Sequence, residues 1–219
     1  MKTYLNLLTI TLLAGSLAIA NEPAEPLSST DLTVAFKGVG PMRGEDWESA
    51  AGFEAQWRLW SERTKALALV VGGQSWKAPE EFSEWDDGGT AYSSWISGDA
   101  TLMPIGLSVL LRRCLSPGLD ITLEGGLRYV FVDANINVEV TTEDANGLGG
   151  YTETIDIEDT FLGVLGVNIE ADFGNGLGVL LGAGYQFDFG QPHEKLMGQD
   201  LGATSFAGGT VSAGLIWVF

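Results

Sequence analysis

The chain has 219 residues, of which 29 are acidic and 11 are basic, so its formal net charge is -18 at pH 7. A charge this negative argues against nucleic acid as a partner, because the phosphates would be repelled. Hydrophobic residues nevertheless make up 45% of the chain and glycine contributes 30 residues, an unusual mixture for a soluble protein unless charged and apolar surfaces are segregated.

The N-terminal segment has the pattern of a secretory signal peptide. Lys2 precedes an apolar run over residues 5–17, and small residues follow up to Ala20. This apolar run is shorter than the roughly 20 residues that a membrane-spanning helix needs. We therefore predict a signal peptide over residues 1–20, cleaved after Ala20, a short periplasmic lead over residues 21–30 and one domain over residues 31–219. A retained anchor helix is the alternative.

Most of the remaining chain alternates apolar and polar residues, which is typical of β-strands with one apolar and one polar face. No stretch of roughly 18 consecutive apolar residues follows the signal segment, so membrane-spanning helices are not predicted. Between residues 119 and 131, most odd positions are apolar or aromatic, and most even positions are charged or small. Eight such strands are predicted near residues 31–40, 51–60, 66–77, 99–113, 119–133, 159–173, 177–190 and 204–219.

The predicted connections alternate between short and long. Strands two and three, four and five, and six and seven are joined by tight turns such as Gly174-Asn175-Gly176. The other connections are long, as expected for a chain that threads a membrane from one side. The predicted fold class is therefore all-β, an eight-stranded antiparallel up-and-down transmembrane barrel with short periplasmic turns and long extracellular loops. The strands of a soluble barrel also alternate apolar and polar residues, but their charged face points outward to water.

The polar face of the strands is expected to point into the barrel. Eight strands leave an interior just wide enough for side chains to fill, so an open aqueous pore is not the default expectation. Charged side chains buried there are very costly unless they pair with one another. Inward glycines could leave gaps for water, so a narrow passive channel for small solutes remains an alternative. The predicted lumen network consists of Lys37, Glu54, Arg58, Glu124, Arg128 and Glu170.

Aromatic residues on the apolar face are expected to form two girdles at the membrane interfaces. The girdle near the short turns is predicted to contain Trp57 and Phe173, together with Trp217 and Phe219. The girdle near the long loops is predicted to contain Tyr129, Phe131, Tyr185, Phe187 and Phe189.

The C-terminal segment carries the strongest local signal. Polar Ser212, then Gly214, Trp217 and the final Phe219 resemble the sorting signal that the barrel-assembly machinery of the outer membrane reads. The chain thus resembles the small eight-stranded outer-membrane β-barrels, which include the transmembrane domain of outer membrane protein A and related porin-family barrels. The resemblance implies a place in the outer membrane of a Gram-negative-type bacterium, contact with its lipids, and biogenesis through periplasmic chaperones and the assembly machinery.

Two functional classes follow. One is a structural or surface-interaction protein that acts through acidic extracellular loops, and the other is the narrow channel. The acids are expected to form a solvated surface, with divalent cations as an alternative ligand. Aromatic residues in the third-to-fourth loop either contact a partner or belong to strands that extend above the membrane and pack on one another. Those aromatics are Phe82, Trp85, Tyr92 and Trp95, and the acids are Glu80, Glu81, Glu84, Asp86, Asp87, Glu139, Glu143, Asp144, Glu153 and Asp156.

Catalytic chemistry is not predicted. Small outer-membrane barrels include lipid-modifying enzymes, which usually depend on a histidine beside a serine. The only histidine, His193, has no adjacent serine and no metal-ligand spacing, so it is expected to be a surface loop residue. The single cysteine, Cys114, allows no intramolecular disulfide and is expected in the fourth-to-fifth turn. We expect a monomer without catalytic residues, metal or cofactor.

Overall fold

A computed structural model describes residues 29–41, 47–87, 90–144 and 147–219. The predicted signal peptide, its cleavage after Ala20 and the lead up to residue 28 lie outside these residues. No helix with the length and apolar character needed to span a bilayer occurs in the described part of the chain. The strands are β1 (Ser29–Pro41), β2 (Ala50–Glu62), β3 (Lys65–Asp87), β4 (Thr90–Ser116), β5 (Leu119–Asp144), β6 (Gly147–Ile157), β7 (Thr160–Gly174), β8 (Leu177–Asp188), β9 (His193–Leu196), β10 (Gln199–Ala203) and β11 (Gly208–Val218).

A ring of eight strands forms a closed antiparallel barrel. Strands β1 to β5 pair in chain order, and β7, β8 and β11 complete the ring by pairing β5 with β7 and β11 with β1. Closure removes the sheet edges, so the backbone polar groups of the ring find partners within the sheet, as a bilayer requires. The predicted eight-stranded antiparallel barrel is confirmed.

Tight turns join the ring strands at one end of the barrel, here called the short-turn end. The turn between β7 and β8 has positive φ at Asn175 (58°) and Gly176 (76°), which a two-residue hairpin of type I′ requires. The backbone N–H of Phe219 donates to the carbonyl oxygen of Thr30 over 2.9 Å, so these two residues meet at the same end. The opposite end is called the long-loop end below.

Two of the long connections are largely strands, so their prediction as loops was wrong. β3 extends to Asp87 and pairs with β4 from Thr90, while β5 extends to Asp144 and pairs with β6. The hairpin of β9 and β10 continues this sheet through pairing of β9 with β6. We call the sheet made by residues 78–87, 90–98, 132–144 and 147–157 with β9 and β10 the upper sheet. The acid-rich sequence of this region hides its strands because acidic residues have low strand propensity.

Several predicted boundaries also need correction. Ser29 and Thr30 belong to β1 rather than to the lead, and the last ring strand begins at Gly208 rather than at residue 204. Residue 204 lies outside the ring ladder because the N–H of Thr204 donates to the carbonyl of Pro192. Cys114 lies in β4 and not in the following turn, and it is exposed.

Strand alternation places apolar residues outside the barrel and charged residues inside it. On β4, Met103, Ile105, Leu107 and Val109 are 44–55% exposed, whereas the inward Glu124 and Arg128 of β5 are at most 8% exposed. A soluble barrel would show the reverse arrangement, so the soluble alternative is wrong. The apolar run from Met103 to Leu111 is close to the roughly 9–11 residues with which a tilted strand crosses a bilayer.

Candidate functional site

The middle of the lumen contains two cations paired with two carboxylates. Arg128 Nη2 donates to Glu124 Oε1 over 2.8 Å and lies 3.8 Å from Glu54 Oε1. Lys37 Nζ lies 3.7 Å from Glu54 Oε2. The hydroxyl of Ser108 donates to Glu124 Oε1 over 2.6 Å. The charges of this group balance, which limits the cost of burying them.

A second ionic group lies nearer the short-turn end. Arg58 Nη1 donates to Glu170 Oε1 over 2.8 Å, and Arg112 Nη2 donates to Glu170 Oε2 over 3.0 Å. Asp31 lies 3.7 Å from Arg58 and 3.6 Å from Arg112. The guanidinium of Arg112 also stacks 3.6 Å above the ring of Trp60, a favourable cation–π contact. Glu170 is therefore held by two arginines.

Gln56 connects the two groups. Its Nε2 donates to Glu54 Oε1 over 2.8 Å, and its Oε1 accepts a hydrogen bond from Arg58 Nε over 3.0 Å. The structure brings all six residues of the predicted lumen network together, each with an ionic partner. The sequence prediction missed Asp31, Gln56 and Arg112. Period-two spacing from Lys37 and Glu54 on the same strands could have found the first two of these.

Little space remains beside this network. A cavity of about 40 Å³ lies between the network and the wall formed by Gly166, Asn168, Leu180 and Ser212. A volume of this size holds a few water molecules at most. The cavity beside the inward Gly166 is therefore small.

An aromatic cluster lies at the long-loop end of the lumen. Trp76 of β3 meets Trp47 and Phe206, which come from two different connections, and the ring centroids are 5.3–6.3 Å apart. Trp47 Nε1 donates to Thr204 Oγ1 over 2.8 Å, and Gln186 Nε2 donates to the carbonyl of Phe206 over 2.7 Å. We call Trp47, Trp76 and Phe206 the aromatic cap. All three side chains are buried above the ionic groups.

The upper sheet has two faces of different character. Its inner face continues the apolar cluster above the cap with buried Val138, Val140 and Ile155. Its outer face is exposed and combines carboxylates with apolar side chains. Cross-strand pairing defines three outer rows from β3 to β6, namely Phe82–Trp95–Glu139–Thr152, Glu84–Ser93–Thr141–Gly150 and Asp86–Ala91–Glu143–Leu148.

The four aromatics that were noted in the predicted third-to-fourth loop pair across β3 and β4. The rings of Phe82 and Trp95 are 6.0 Å apart, and those of Trp85 and Tyr92 are stacked 5.3 Å apart at an angle of 4°. The structure thus agrees with the alternative in which these strands extend and pack on one another. Phe82, Trp85 and Trp95 nevertheless remain 41–55% exposed.

Solved outer-membrane proteins share this architecture. The outer membrane protein OprG of Pseudomonas aeruginosa matches with a TM-score of 0.56 and 9% identity, covering 90% of this chain and 98% of OprG. The chain has the fold of the small outer-membrane β-barrels. At this identity the likeness concerns the fold alone.

Two further small outer-membrane barrels match with lower TM-scores. Neisserial surface protein A matches with a TM-score of 0.42 and 14% identity, covering 90% of this chain and 100% of that one. The attachment invasion locus protein Ail of Yersinia pestis matches with a TM-score of 0.39 and 13% identity, covering 88% of this chain and 97% of Ail. No family model matches the sequence of this outer-membrane-type barrel, and neither does any curated protein.

The predicted interface aromatics lie outside the barrel near its two ends. Trp57 and Trp217 lie on either side of Leu32 in the ladder, and Phe173 is 70% exposed beside the turn that follows it. At the other end, the Tyr129 and Phe131 rings are 4.9 Å apart, and the Phe187 and Phe189 rings are 5.2 Å apart, with Tyr185 half-buried nearby. Phe161, which the sequence analysis did not assign, lies 5.0 Å from Tyr129.

The acidic residues do not form a metal site in the described part of the barrel. No group of three or more histidine, cysteine, aspartate or glutamate side chains lies close enough there to hold a metal ion. The structure therefore offers no support for divalent cations at the acidic segments. His193 is an exposed residue of β9, where its Nδ1 lies 2.9 Å from Asp200 Oδ2.

The upper sheet has two free edges, unlike the closed ring. Beyond Ser75, β3 pairs only with β4, and β10 pairs only with β9 among the described residues. The β3 edge carries Pro79 and two glutamates with a register shift beside Ala78, and β10 has its own shift after Asp200. Proline, charge and bulges discourage pairing with a foreign strand. Recognition of a partner is therefore expected at the faces of the sheet.

The β9–β10 hairpin should respond to pH. The carboxylate of Asp200 raises the pKa of His193 above its ordinary 6.5, and the hydrogen bond with His193 lowers the pKa of Asp200 below 3.8. The contribution of His193 to the stability of the hairpin is complete below pH 6.5 and is lost as pH rises through the raised pKa of His193. The contribution of Asp200 to that stability is complete above pH 3.8 and is lost as pH falls through the lowered pKa of Asp200.

We therefore expect protection of the hairpin amides from hydrogen exchange to be greatest between pH 3.8 and 6.5. Protection factors measured across pH would show this. The variant His193→Asn should lack the decline above pH 6.5, because it has no titrating imidazole. An identical pH profile in the two proteins would contradict the assignment of the decline to His193.

Proposed function

We propose that this protein is an integral outer-membrane barrel that works at the cell surface through its upper sheet, with a lumen that does not conduct solutes. The observation that carries the proposal is a lumen filled by buried ion pairs and topped by buried aromatic rings, beneath a large exposed sheet. The buried ionic groups fill the middle of the barrel, and the aromatic cap closes the long-loop end. Opening a path would separate buried ion pairs and displace buried aromatic rings, and both changes are costly.

The distribution of charge supports a role for the surface. Four of the 11 basic residues, Lys37, Arg58, Arg112 and Arg128, are paired inside the lumen. The outside therefore carries nearly all the excess negative charge. In barrels of this type the short turns face the periplasm, which puts the acidic upper sheet outside the cell.

Biogenesis is part of the same proposal. The chain would be exported through a signal peptide cleaved after Ala20, carried by periplasmic chaperones, and recognised by the assembly machinery through Ser212, Gly214, Trp217 and Phe219. The side chain of Phe219 is 78% exposed while its backbone N–H is bonded to Thr30. Its ring is therefore accessible to another protein.

Orientation can be tested with the single cysteine. Cys114 is exposed near the short-turn end, and Leu148, which is 78% exposed, is the second residue of β6 at the tip of the upper sheet. We expect a membrane-impermeant maleimide to label the double variant Cys114→Ser/Leu148→Cys on intact cells. It should label the unaltered Cys114 only after the outer membrane is permeabilised. The reverse pattern would contradict the proposed orientation, and heat-modifiable gel migration checks that both proteins are folded.

A further inference from the structure

We propose that the outer face of the upper sheet binds a short, extended peptide segment that carries basic and apolar residues in turn at every second position. The inference rests on the proposed surface role and names the chemistry of the partner. The binding surface, here called the outer patch, consists of Phe82, Glu84, Ala91, Ser93, Trp95, Glu139, Thr141, Glu143 and Leu148.

The outer patch contains a cleft with a floor of small side chains. Ala91 and Ser93 of β4 lie between Glu84 of β3 and Glu143 of β5. The cleft has a volume of about 400 Å³, and Thr141, Leu148 and the stacked rings of Trp85 and Tyr92 also line it. Glu84 belongs to β3 and Glu143 to β5, so the two columns of carboxylates are separated by two strand spacings, about 10 Å. That separation is too wide for one metal ion to bridge, and it leaves room for a peptide chain.

The negative charge of the outer patch favours a cationic occupant. Glu84, Glu139 and Glu143 have no ion pair with any described residue. The sequence contains no lysine or arginine between residues 78 and 111 or between residues 129 and 194. A second copy of this chain, with its net charge of -18, would be repelled, and so would lipid phosphates. A basic segment supplies the missing charge.

The exposed apolar side chains of the outer patch favour an occupant that carries apolar residues as well as positive charge. Phe82, Trp95 and Leu148 are 55%, 41% and 78% exposed, and the first two form one aromatic pair. Aromatic faces bind guanidinium groups through cation–π contacts, and they also cover aliphatic side chains. Aromatic and carboxylate rows follow one another along the strands about 7 Å apart, which is the two-residue repeat of an extended peptide. Because every second residue of an extended peptide faces the same side, a peptide that carries cationic and apolar residues in turn at every second position matches both features.

The size of the outer patch favours a segment over a folded partner. Three strand spacings by four residues correspond to about 14 Å by 13 Å. A stable complex of folded proteins buries about 800 Å² on each partner, which is several times this area. The free edges of the sheet are blunted, so the peptide is expected to lie on the face rather than to add a strand.

Fluorescence polarisation tests the inference with a labelled synthetic peptide that carries arginine and leucine in turn at every second position, separated by serine. The folded barrel is held in an uncharged detergent. The variant Glu84→Gln/Glu139→Gln/Glu143→Gln removes the carboxylates, and Trp95→Ala removes the aromatic platform. Because each exposed charge pair contributes at most about fivefold to affinity, we expect the triple variant to bind about tenfold more weakly. We expect Trp95→Ala to weaken binding about fivefold through lost cation–π and apolar contact.

A matched control separates the outer patch from net charge. The variant Asp99→Asn/Asp133→Asn/Asp156→Asn removes the same number of exposed carboxylates from outside the outer patch and should bind within about twofold of the parent. Equal weakening by both triple variants would overturn the inference, and so would unchanged binding by the outer-patch variant. A peptide with glutamate in place of each arginine that bound equally well would also overturn it, because apolar adhesion alone would then explain binding.

The inference and the proposed function can fail separately. Currents through the barrel or reversed cysteine labelling would overturn the proposed function whatever the peptide does. A non-conducting, correctly oriented barrel that ignores the peptide would overturn only the assignment of the outer patch. Heat-modifiable migration of every variant establishes that the compared proteins are folded.

Discussion

The variant Glu170→Leu is expected to lower the free energy of unfolding by about 3–5 kcal/mol, because it leaves a buried charge without its main partner. Arg58 has no exposed surface, and its Nη1 donates to Glu170 Oε1 over 2.8 Å. Its other acidic neighbour, Asp31, is 3.7 Å away and is shared with Arg112. The cavity that Arg58 lines is about 40 Å³, so a few water molecules at most could replace the lost carboxylate.

Urea titration of the barrel in lipid vesicles, followed by heat-modifiable gel migration, measures this loss. The double variant Arg58→Met/Glu170→Leu should recover much of it, since removing both charges removes the unpaired one. Glu62→Leu is the matched control, because the Glu62–Lys65 pair is 37% and 41% exposed and such pairs contribute at most about 1 kcal/mol. Equal destabilisation by Glu62→Leu and Glu170→Leu would contradict the stabilising role of the lumen pairs.

The variant Phe206→Ala is expected to destabilise the aromatic cap by about 3–5 kcal/mol, as for other buried aromatic residues truncated to alanine. Phe206 is completely buried, and its ring centroid lies 5.3 Å from that of Trp47 and 5.5 Å from that of Trp76. Truncation removes both contacts. The connection from residue 189 to residue 207 should then detach from the barrel mouth.

Limited proteolysis of the folded barrel measures that detachment as faster cleavage within residues 189–207. Phe189→Ala is the control, because Phe189 is 64% exposed on the outside of the barrel and its loss leaves the cap intact. Cleavage that is as slow in Phe206→Ala as in Phe189→Ala would contradict the proposed function of the cap as a closure. Because the ionic groups still fill the lumen below the cap, Phe206→Ala alone is expected to pass no current.

The barrel could be predicted from sequence because lipid and lumen impose opposite requirements on successive residues. Along β5, apolar Leu123 and Leu127 face outward while Glu124 and Arg128 are buried inside, so period-two alternation is strong there. The same contrast identified the lumen charges, since a charged residue in such a strand has only the interior as a tolerable environment. Their exact partners depend on strand register, which alternation does not specify.

The upper sheet and the cap could not be predicted in this way. Near residues 80–87 both faces of β3 are exposed, and a register shift between Ala78 and Glu81 reverses which residues face inward. The alternation is therefore lost where the strand continues. The cap depends on contacts such as the hydrogen bond from Trp47 to Thr204, which joins residues 157 positions apart. Nothing in the local pattern around either residue indicates that contact.

Single-channel recording in planar bilayers tests the sealed lumen most directly. The folded barrel should insert, as shown by heat-modifiable migration, and yield no discrete conductance over the voltage range in which the bilayer is stable. Discrete currents whose size changes in the variants Lys37→Glu or Glu54→Lys would contradict the sealed lumen and make the barrel a narrow channel, because only ions that pass these side chains would respond to their charge.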